Sequence, residues 1–414
     1  MALWKSLVVV VLLTLPISGY SARQYQCGFM DTSGRVVIPA KFSRVRNYSE
    51  GLAAVEVNQK WGYINKTGRF VIRPRFDSVM DFHEGLAVMG SRHKNALAHG
   101  MAAAGRLIKG DYKGYMDTIR QGPYDWTWGC IDKSGNIVIP PAFTELHDFS
   151  DGLAEATVMR GERRFCTFVD STGAQAFLST FDRTYPFRDG LALVERGGYW
   201  GYIDKAGSFV VPLHYTEAYP FNEGLAAVMV DDKWGFIDTT GRTRIEPRFD
   251  DGGYFHEGLC PVVVNYKTGF IDTSGRIVIR PQFFHVGPGF HYGLEPASIN
   301  DHWRDKWGFI DRDGKFVIPP NFFKVGFFTD GLAPAELTST GVGFINTAGR
   351  YVIKSQPMYV TGFHEELAAF WLEKRGPAGF SATASVTLFV SVVVVLLVWA
   401  VVFLLFRRMR RQAG

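Results

Sequence analysis

A Trp-Gly pair, or a degraded version of it, returns along this 414-residue chain at nearly fixed spacing. The Trp position is held in turn by Cys27, Trp61, Trp128, Cys166, Trp200, Trp234, Thr268, Trp307 and Val342. The intervals are 34, 67, 38, 34, 34, 34, 39 and 35 residues, so one period of about 34 covers residues 27 to 374 in nine units. The interval of 67 is one period plus an insertion, at 91–127. Such periodicity means stacked copies of one supersecondary unit, none of which buries its apolar face alone. Composition agrees: 47% apolar and 21% charged residues exclude disorder, and 45 glycines suit many short strands joined by tight turns.

Each unit reads as three strands. The first starts at the Trp position, as in Trp234 to Asp238, and meets a turn that ends in glycine (Gly241). The second ends near proline, as in Val36 to Pro39 or Phe316 to Pro319. The third follows an acidic residue and glycine, as in Glu50 to Val55, Asp189 to Val194 and Glu223 to Val228. Runs of four to six residues rich in Val, Ile, Phe and Tyr, punctuated by Gly and Pro, are strand signals. Asp-x-x-Gly between the first two strands predicts a hairpin, with the carboxylate capping the turn and glycine taking positive φ. The fold class is all-β. Trp61, Trp128, Trp200, Trp234 and Trp307 are the expected packing anchors of the repeat.

Lys60 to Ile64, Lys233 to Asp238 and Lys306 to Asp311, each with a Gly-Leu-Ala strand downstream, resemble the WG (KWG) β-repeat family of bacterial surface and secreted proteins. The resemblance implies a repeat-built binding or scaffold region and brings no general catalytic activity with it. Cys27, Cys166, Thr268 and Val342 depart from the family at the Trp position.

Three strands in 34 residues fall short of the four strands and roughly 40 residues of a common propeller blade. No sequence unit is split between the two ends of the array. Both facts favour a tandem, open β-solenoid-like array of nine three-stranded units, with a closed β-propeller-like ring as the alternative.

The ends of the chain carry membrane signals. Lys5, the apolar run Leu7 to Leu15 and small residues near Gly19, Ser21 and Ala22 predict a secretory signal over 1–22. Residues 386–406 hold no charge and have the length of a transmembrane helix, which Arg407, Arg408, Arg410 and Arg411 follow. The expected layout is an ectodomain over 23–375, a linker over 376–385, the span, and a cytoplasmic tail over 407–414. This makes a single-pass type I protein with its body in the periplasm or at the cell surface. Lys5 and the four tail arginines account for the whole net charge of +5. The body is therefore neutral and lacks the electrostatic footprint of a nucleic-acid binder.

Little else in the sequence suggests chemistry. Asp31 to Gly34 and Asp272 to Gly275 look superficially like aspartic-protease motifs, but the tetrad recurs in most units and reads as turn capping. Asp311 to Gly314 starts like a calcium loop without the bidentate glutamate such a loop needs. His83, His256, His291 and His364 share one repeat position, where an exposed turn explains them better than a metal. Of the four cysteines (Cys27, Cys130, Cys166, Cys260), only Cys130 and Cys166 are placed to pair, and buried free thiols are the simpler expectation. No metal, cofactor or catalytic residue is expected.

The insertion joins basic side chains (Arg106 and Lys109 among them) to Tyr112, Tyr115, Tyr124 and Trp126, and these six residues are the candidate partner contacts. Insertions in repeat arrays map to loops on one face, often the binding face. The resulting expectation is a membrane-anchored, non-enzymatic scaffold for a protein or a cell-envelope polymer. An envelope hydrolase with scattered Asp and Glu residues is the alternative.

Overall fold

The computed structural model describes residues 25–92, 126–160, 163–299, 306–337, 341–356 and 359–373. Regular structure among them is entirely β, in nine small antiparallel sheets. Blade 1 shows the pattern: Arg44–Ser49, Leu52–Val57, Lys60–Asn65 and Phe70–Phe76 pair in sequence order. Blade 2 spans 78–143, blade 3 145–181, blade 4 183–215, blade 5 218–249, blade 6 251–283, blade 7 285–322 and blade 8 324–356. Blade 9 joins Tyr359–Val360 and Leu367–Glu373 to Tyr25–Asp31 and Val36–Phe42. The first two strands of the array thus share a sheet with the last two, and the ring closes.

This corrects the open, solenoid-like arrangement favoured by the spacing: the array is a nine-bladed propeller. The sequence unit and the blade are out of phase. A unit supplies the third and fourth strands of one blade and the first and second of the next, so every unit straddles a junction. The expected three strands per unit also miss one. A blade's first strand is as short as Asp251–Gly252, and in blade 5 it shrinks to the bridge Ala218↔Val228. No strand propensity is legible over two residues.

The turns follow from local chemistry. In seven of the nine blades the first and second strands are joined by an acidic residue and glycine, both with positive φ, 52° at Glu50 and 83° at Gly51. That is the two-residue type I′ hairpin turn, whose twist matches the strands. Between third and fourth strands, Asp272 Oδ1 accepts the amides of Ser274 (3.0 Å) and Arg276 (3.1 Å), which is the turn capping expected of the Asp-x-x-Gly tetrads.

Burial places the strands radially. Third strands bury nearly every residue, as in Trp61 to Ile64. Most fourth strands bury only the third and seventh residues, as in Ile72 and Phe76, and so form the outer edge. First strands of neighbouring blades touch each other: Ser49 Oγ donates to the Phe82 carbonyl (2.6 Å) and Arg46 pairs with Asp81 (2.9 Å). They form the inner wall.

The core is nine apolar clusters, each built from the facing sides of two consecutive blades. Leu225, Ala227, Trp234, Phe236, Ile245 and Phe249 of blade 5 meet Phe255, Cys260, Val262 and Ile271 of blade 6. The closing junction is made the same way, with Cys27, Phe29, Leu367 and Ala369 of blade 9 against Val45, Tyr48 and Val55 of blade 1. Continuous burial on both faces explains why central strands read as apolar runs instead of alternating patterns.

A ring of polar latches runs alongside this core. In every blade but blade 7, the acidic residue of the first turn accepts a backbone N–H of the next blade's turn. Gly85 donates to Glu50 (3.0 Å), Gly152 to Glu84 (2.9 Å), Gly224 to Asp189 (2.8 Å) and Gly258 to Glu223 (2.8 Å). Gly51 donates to Glu365 (3.1 Å) across the closing junction. The conspicuous Glu-Gly and Asp-Gly pairs therefore act twice, as turn formers and as inter-blade ties.

No helix among the described residues is long and apolar enough to cross a membrane. The expected signal over 1–22, linker over 376–385, span over 386–406 and tail over 407–414 lie outside the described residues.

Candidate functional site: a broken blade and its pocket

The glycine of the Trp-Gly pair is the tighter constraint of the two. A Cβ at Gly235 would sit 2.6 Å from the Ile245 carbonyl oxygen and 2.7 Å from the Pro247 nitrogen. At Gly201 it would meet the Val211 oxygen at 2.6 Å, and at Gly269 the Ile279 oxygen at 2.5 Å. Here the fourth strand bulges against the third and slips its register, from Trp234↔Phe249 to Phe236↔Ile245. Only a residue without a side chain permits that approach.

Blade 3 alone breaks the rule, with Thr167 at the glycine position. Its third strand, Arg163–Val169, has no regular fourth partner, only the bridges Cys166↔Phe181 and Val169↔Gln175. Thr167 Oγ1 instead donates to the Ser179 carbonyl (3.3 Å) and accepts from Gln175 Nε2 (3.0 Å). The same blade has lost the Trp, since Cys166 stands there. In blade 9, where Cys27 replaces Trp, Trp371 on the adjacent second strand packs against the same cluster. In blade 3 the residue facing Cys166 is Thr157, which fills no such volume.

A cavity of about 570 Å³ opens at this place, between blades 3 and 4. Its lining includes His147, Glu155 and Cys166 from blade 3 and Arg183, Thr184 and Tyr185 from blade 4. Glu155 is 8% exposed. Burial lifts its carboxyl to about 7, against a smaller opposing effect of the Thr184 hydroxyl. The position is apolar in every other blade, as at Ala54, Val88, Leu193 and Ala227. Burial also raises the Cys166 thiol, so it is not a thiolate nucleophile at neutral pH. Arg164 is paired with Glu145, and Arg183 with Glu195. Asp182 accepts the Gly197 amide at 2.7 Å. A perturbed carboxyl in a cavity of small-molecule size is an ordinary mark of a binding site.

Beside the pocket the inner wall turns aromatic. Tyr185 lies 5.7 Å from Trp200, and Tyr219 stacks on both Trp234 (4.8 Å) and Tyr254 (5.3 Å).

Of the six candidate partner contacts, Tyr112, Tyr115, Tyr124, Arg106 and Lys109 lie outside the described residues. Trp126 is half-buried, stacked on Trp128 at 5.8 Å, with the Arg92 guanidinium 5.7 Å from its ring. The insertion occupies the corner between second and third strands of blade 2, whose flanking residues Ser91 and Thr127 pair. Trp61, Trp200 and Trp234 are buried, and Trp128 and Trp307 half-buried. All four cysteines are free thiols, Cys166 the least buried. The His256 and His291 rings lie 5.5 Å apart, tilted, across adjacent blades, and no cluster of three or more metal-ligating side chains occurs among the described residues.

Sequence reasoning missed Glu155 and the pocket. The signal is present in Thr167, the single departure at the glycine position, which is harder to see than the departures at Trp.

Comparison with known proteins fits the repeat. The pattern described as "WG containing repeat" matches eight times, at 28–61, 61–89, 128–158, 167–200, 200–234, 234–267, 269–294 and 307–338. No curated protein matches the sequence. Among solved structures, the chain is similar to BamB from Moraxella catarrhalis at 12% identity and a TM-score of 0.35, over 56% of this chain and 83% of that one. A study of two prolyl endopeptidases supplies another, at 11% identity and a TM-score of 0.39, over 90% of this chain and 53% of that one. A third is the tricorn protease, at 11% and 0.23, over 75% and 35%. The eight matches cover more than half of the chain, which belongs to the family of proteins built from WG repeats.

Proposed function

We propose that this protein is a binding scaffold, a closed ring of near-identical blades that holds one altered blade in fixed geometry. The carrying observation is the pocket lined by Cys166, next to Thr167 in the blade that departs from the glycine rule, where a buried carboxyl faces a cavity. Eight regular blades supply rigidity, and binding falls to the place where regularity stops. In this reading the ring is displayed outside the cytoplasm on a single C-terminal span, as the segments 1–22 and 386–406 suggest. The protein is not an enzyme. The hydrolase alternative has less support, because Glu155 is the one lining carboxyl not already held by a backbone amide, and hydrolysis needs a second group.

Restoring the repeat tests the scaffold reading. The double variant Cys166→Trp/Thr167→Gly should fill the pocket and rebuild the fourth strand of blade 3. Native mass spectrometry of the full chain after exposure to an envelope extract should show an adduct on the wild type that the restored chain lacks. Equal adducts on both would end the pocket's role. Topology is checked separately: a reporter active only outside the cytoplasm should work when fused at Gly376 and be silent at Gly414. The reverse pattern would overturn the placement.

A further inference from the structure

We propose that the pocket between blades 3 and 4 binds a small organic cation with a primary ammonium group, which supplies the counter-charge that Glu155 lacks within the fold. The inference rests on the scaffold reading and names the ligand class of the same site.

Two glutamates of similar burial elsewhere in the ring are paired, whereas Glu295, buried without an ion pair among the described residues, lines no such cavity. Glu56, 5% exposed, accepts two hydrogen bonds from Arg44, each 2.7 Å. Glu195, 8% exposed, is paired with Arg183. Glu155 is as buried as these, and no ion pair holds it among the described residues; the Thr184 hydroxyl is its polar side-chain neighbour. A carboxyl at a position that is apolar in the other blades costs desolvation, which the Thr184 hydroxyl offsets only in part. Unlike a plain core defect, this one borders a cavity of about 570 Å³.

The surrounding charges select the sign of the ligand. The two guanidinium groups in the lining, Arg164 and Arg183, are each committed to a glutamate. An anion would meet the Glu155 and Asp182 carboxyl groups, with His147 as the one lining side chain able to carry a positive charge outside an ion pair among the described residues. A cation finds the carboxyl, the Thr184 hydroxyl and the ring of Tyr185, which is 41% exposed and lines the same space. Carboxylate and aromatic face together are the usual receptors of organic ammonium ions. The cation takes the place of the proton, so binding releases a proton below the folded carboxyl's titration at about 7.

The probe is ethanolamine, with ethylene glycol as its neutral counterpart, titrated calorimetrically into the full chain in amine-free buffers. Ethanolamine should bind and ethylene glycol should not. Affinity should be about 30-fold weaker at pH 5.5 than at pH 8, because the protonated carboxyl must first ionise. At pH 6, two buffers of different ionisation enthalpy should report close to one proton released. Glu155→Gln, isosteric and uncharged, should melt no lower than wild type and lose both the binding and its pH dependence. Equal binding of the two probes, or ethanolamine binding retained in Glu155→Gln, would overturn the proposal. If an extract adduct is lost in Cys166→Trp/Thr167→Gly while the two probes bind alike, the scaffold reading stands and the ammonium assignment falls.

Discussion

Glu295 should make the propeller lose stability as pH rises through neutrality. It lies on the second strand of blade 7, where the other blades carry Ala53, Ala87, Ala154, Ala192, Ala226, Cys260, Ala333 and Ala368. It is 0% exposed, and neither carboxylate oxygen has a hydrogen-bond partner of good geometry. Room for it comes from Gly287, whose Cβ would lie 2.8 Å from Oε1. Burial pushes the carboxyl from 4.5 to about 8, with the nearby Gly289 and Gly287 amides opposing. The folded value is raised, so the chain binds this proton more tightly when folded. The contribution is fully present below pH 4.5 and is lost as pH rises to about 8. Over that interval the slope is about 1.4 kcal/mol per pH unit, or roughly 4–5 kcal/mol in all. Glu295→Ala removes this pH dependence and leaves a small cavity, so the variant should be the weaker protein at pH 5 and the stronger at pH 8. Denaturant unfolding of both full chains at pH 5, 6, 7 and 8 measures the difference, and Glu155 cancels because both carry it. Parallel stability curves would refute the reasoning, since they would mean that Glu295 is ionised or paired in the folded ring.

Gly235→Ala should cost at least ~2 kcal/mol, because the new Cβ meets backbone atoms of the fourth strand that cannot swing aside; an unchanged melting temperature would show that the approach is not tight. Trp234, 4% exposed and stacked on Tyr219, should cost ~3–5 kcal/mol when cut to Ala, visible in the same melt, and no shift would remove it from the junction core. Replacing 92–126 by Asn-Gly, so that Ser91 and Thr127 are joined by a type I′ turn as at Asn58 and Gln59, should leave the ring folded by circular dichroism. Loss of the β signal would place essential structure in the insertion.

The periodicity, the all-β class, the Asx turns and the glycine-led strands were legible because each rests on local chemistry repeated nine times. Closure was not. It depends on Glu365 meeting Gly51 and on Cys27 entering a cluster with Leu367, contacts between opposite ends of the array that no local pattern encodes. The ladder's short first strand was hidden for another reason: Lys324–Val325 and His285–Val286 are held by the neighbouring strand and have no propensity of their own. The pocket was half legible. Cys166 drew notice as a missing Trp, yet the loss of glycine at Thr167 is what displaces the outer strand. Glu155 looks like any polar residue of a strand until its neighbours are known.

One interruption in the ring of latches sets where the molecule gives way. At blade 7 the latch position of the first turn is held by Tyr292, so the carboxylate tie to blade 8 is missing, and a tilted contact of His291 with Phe327 at 5.5 Å stands nearby instead. The polypeptide itself is interrupted elsewhere, in blade 9. A cycle with one unlatched link behaves, for opening, as a line whose two ends are blades 7 and 8. Fluctuations that part neighbouring blades are therefore expected to start at the junction of blades 7 and 8, one blade away from the chain's own seam in blade 9. The covalent gap and the mechanical gap are different places, so the propeller can breathe at one while the other stays shut.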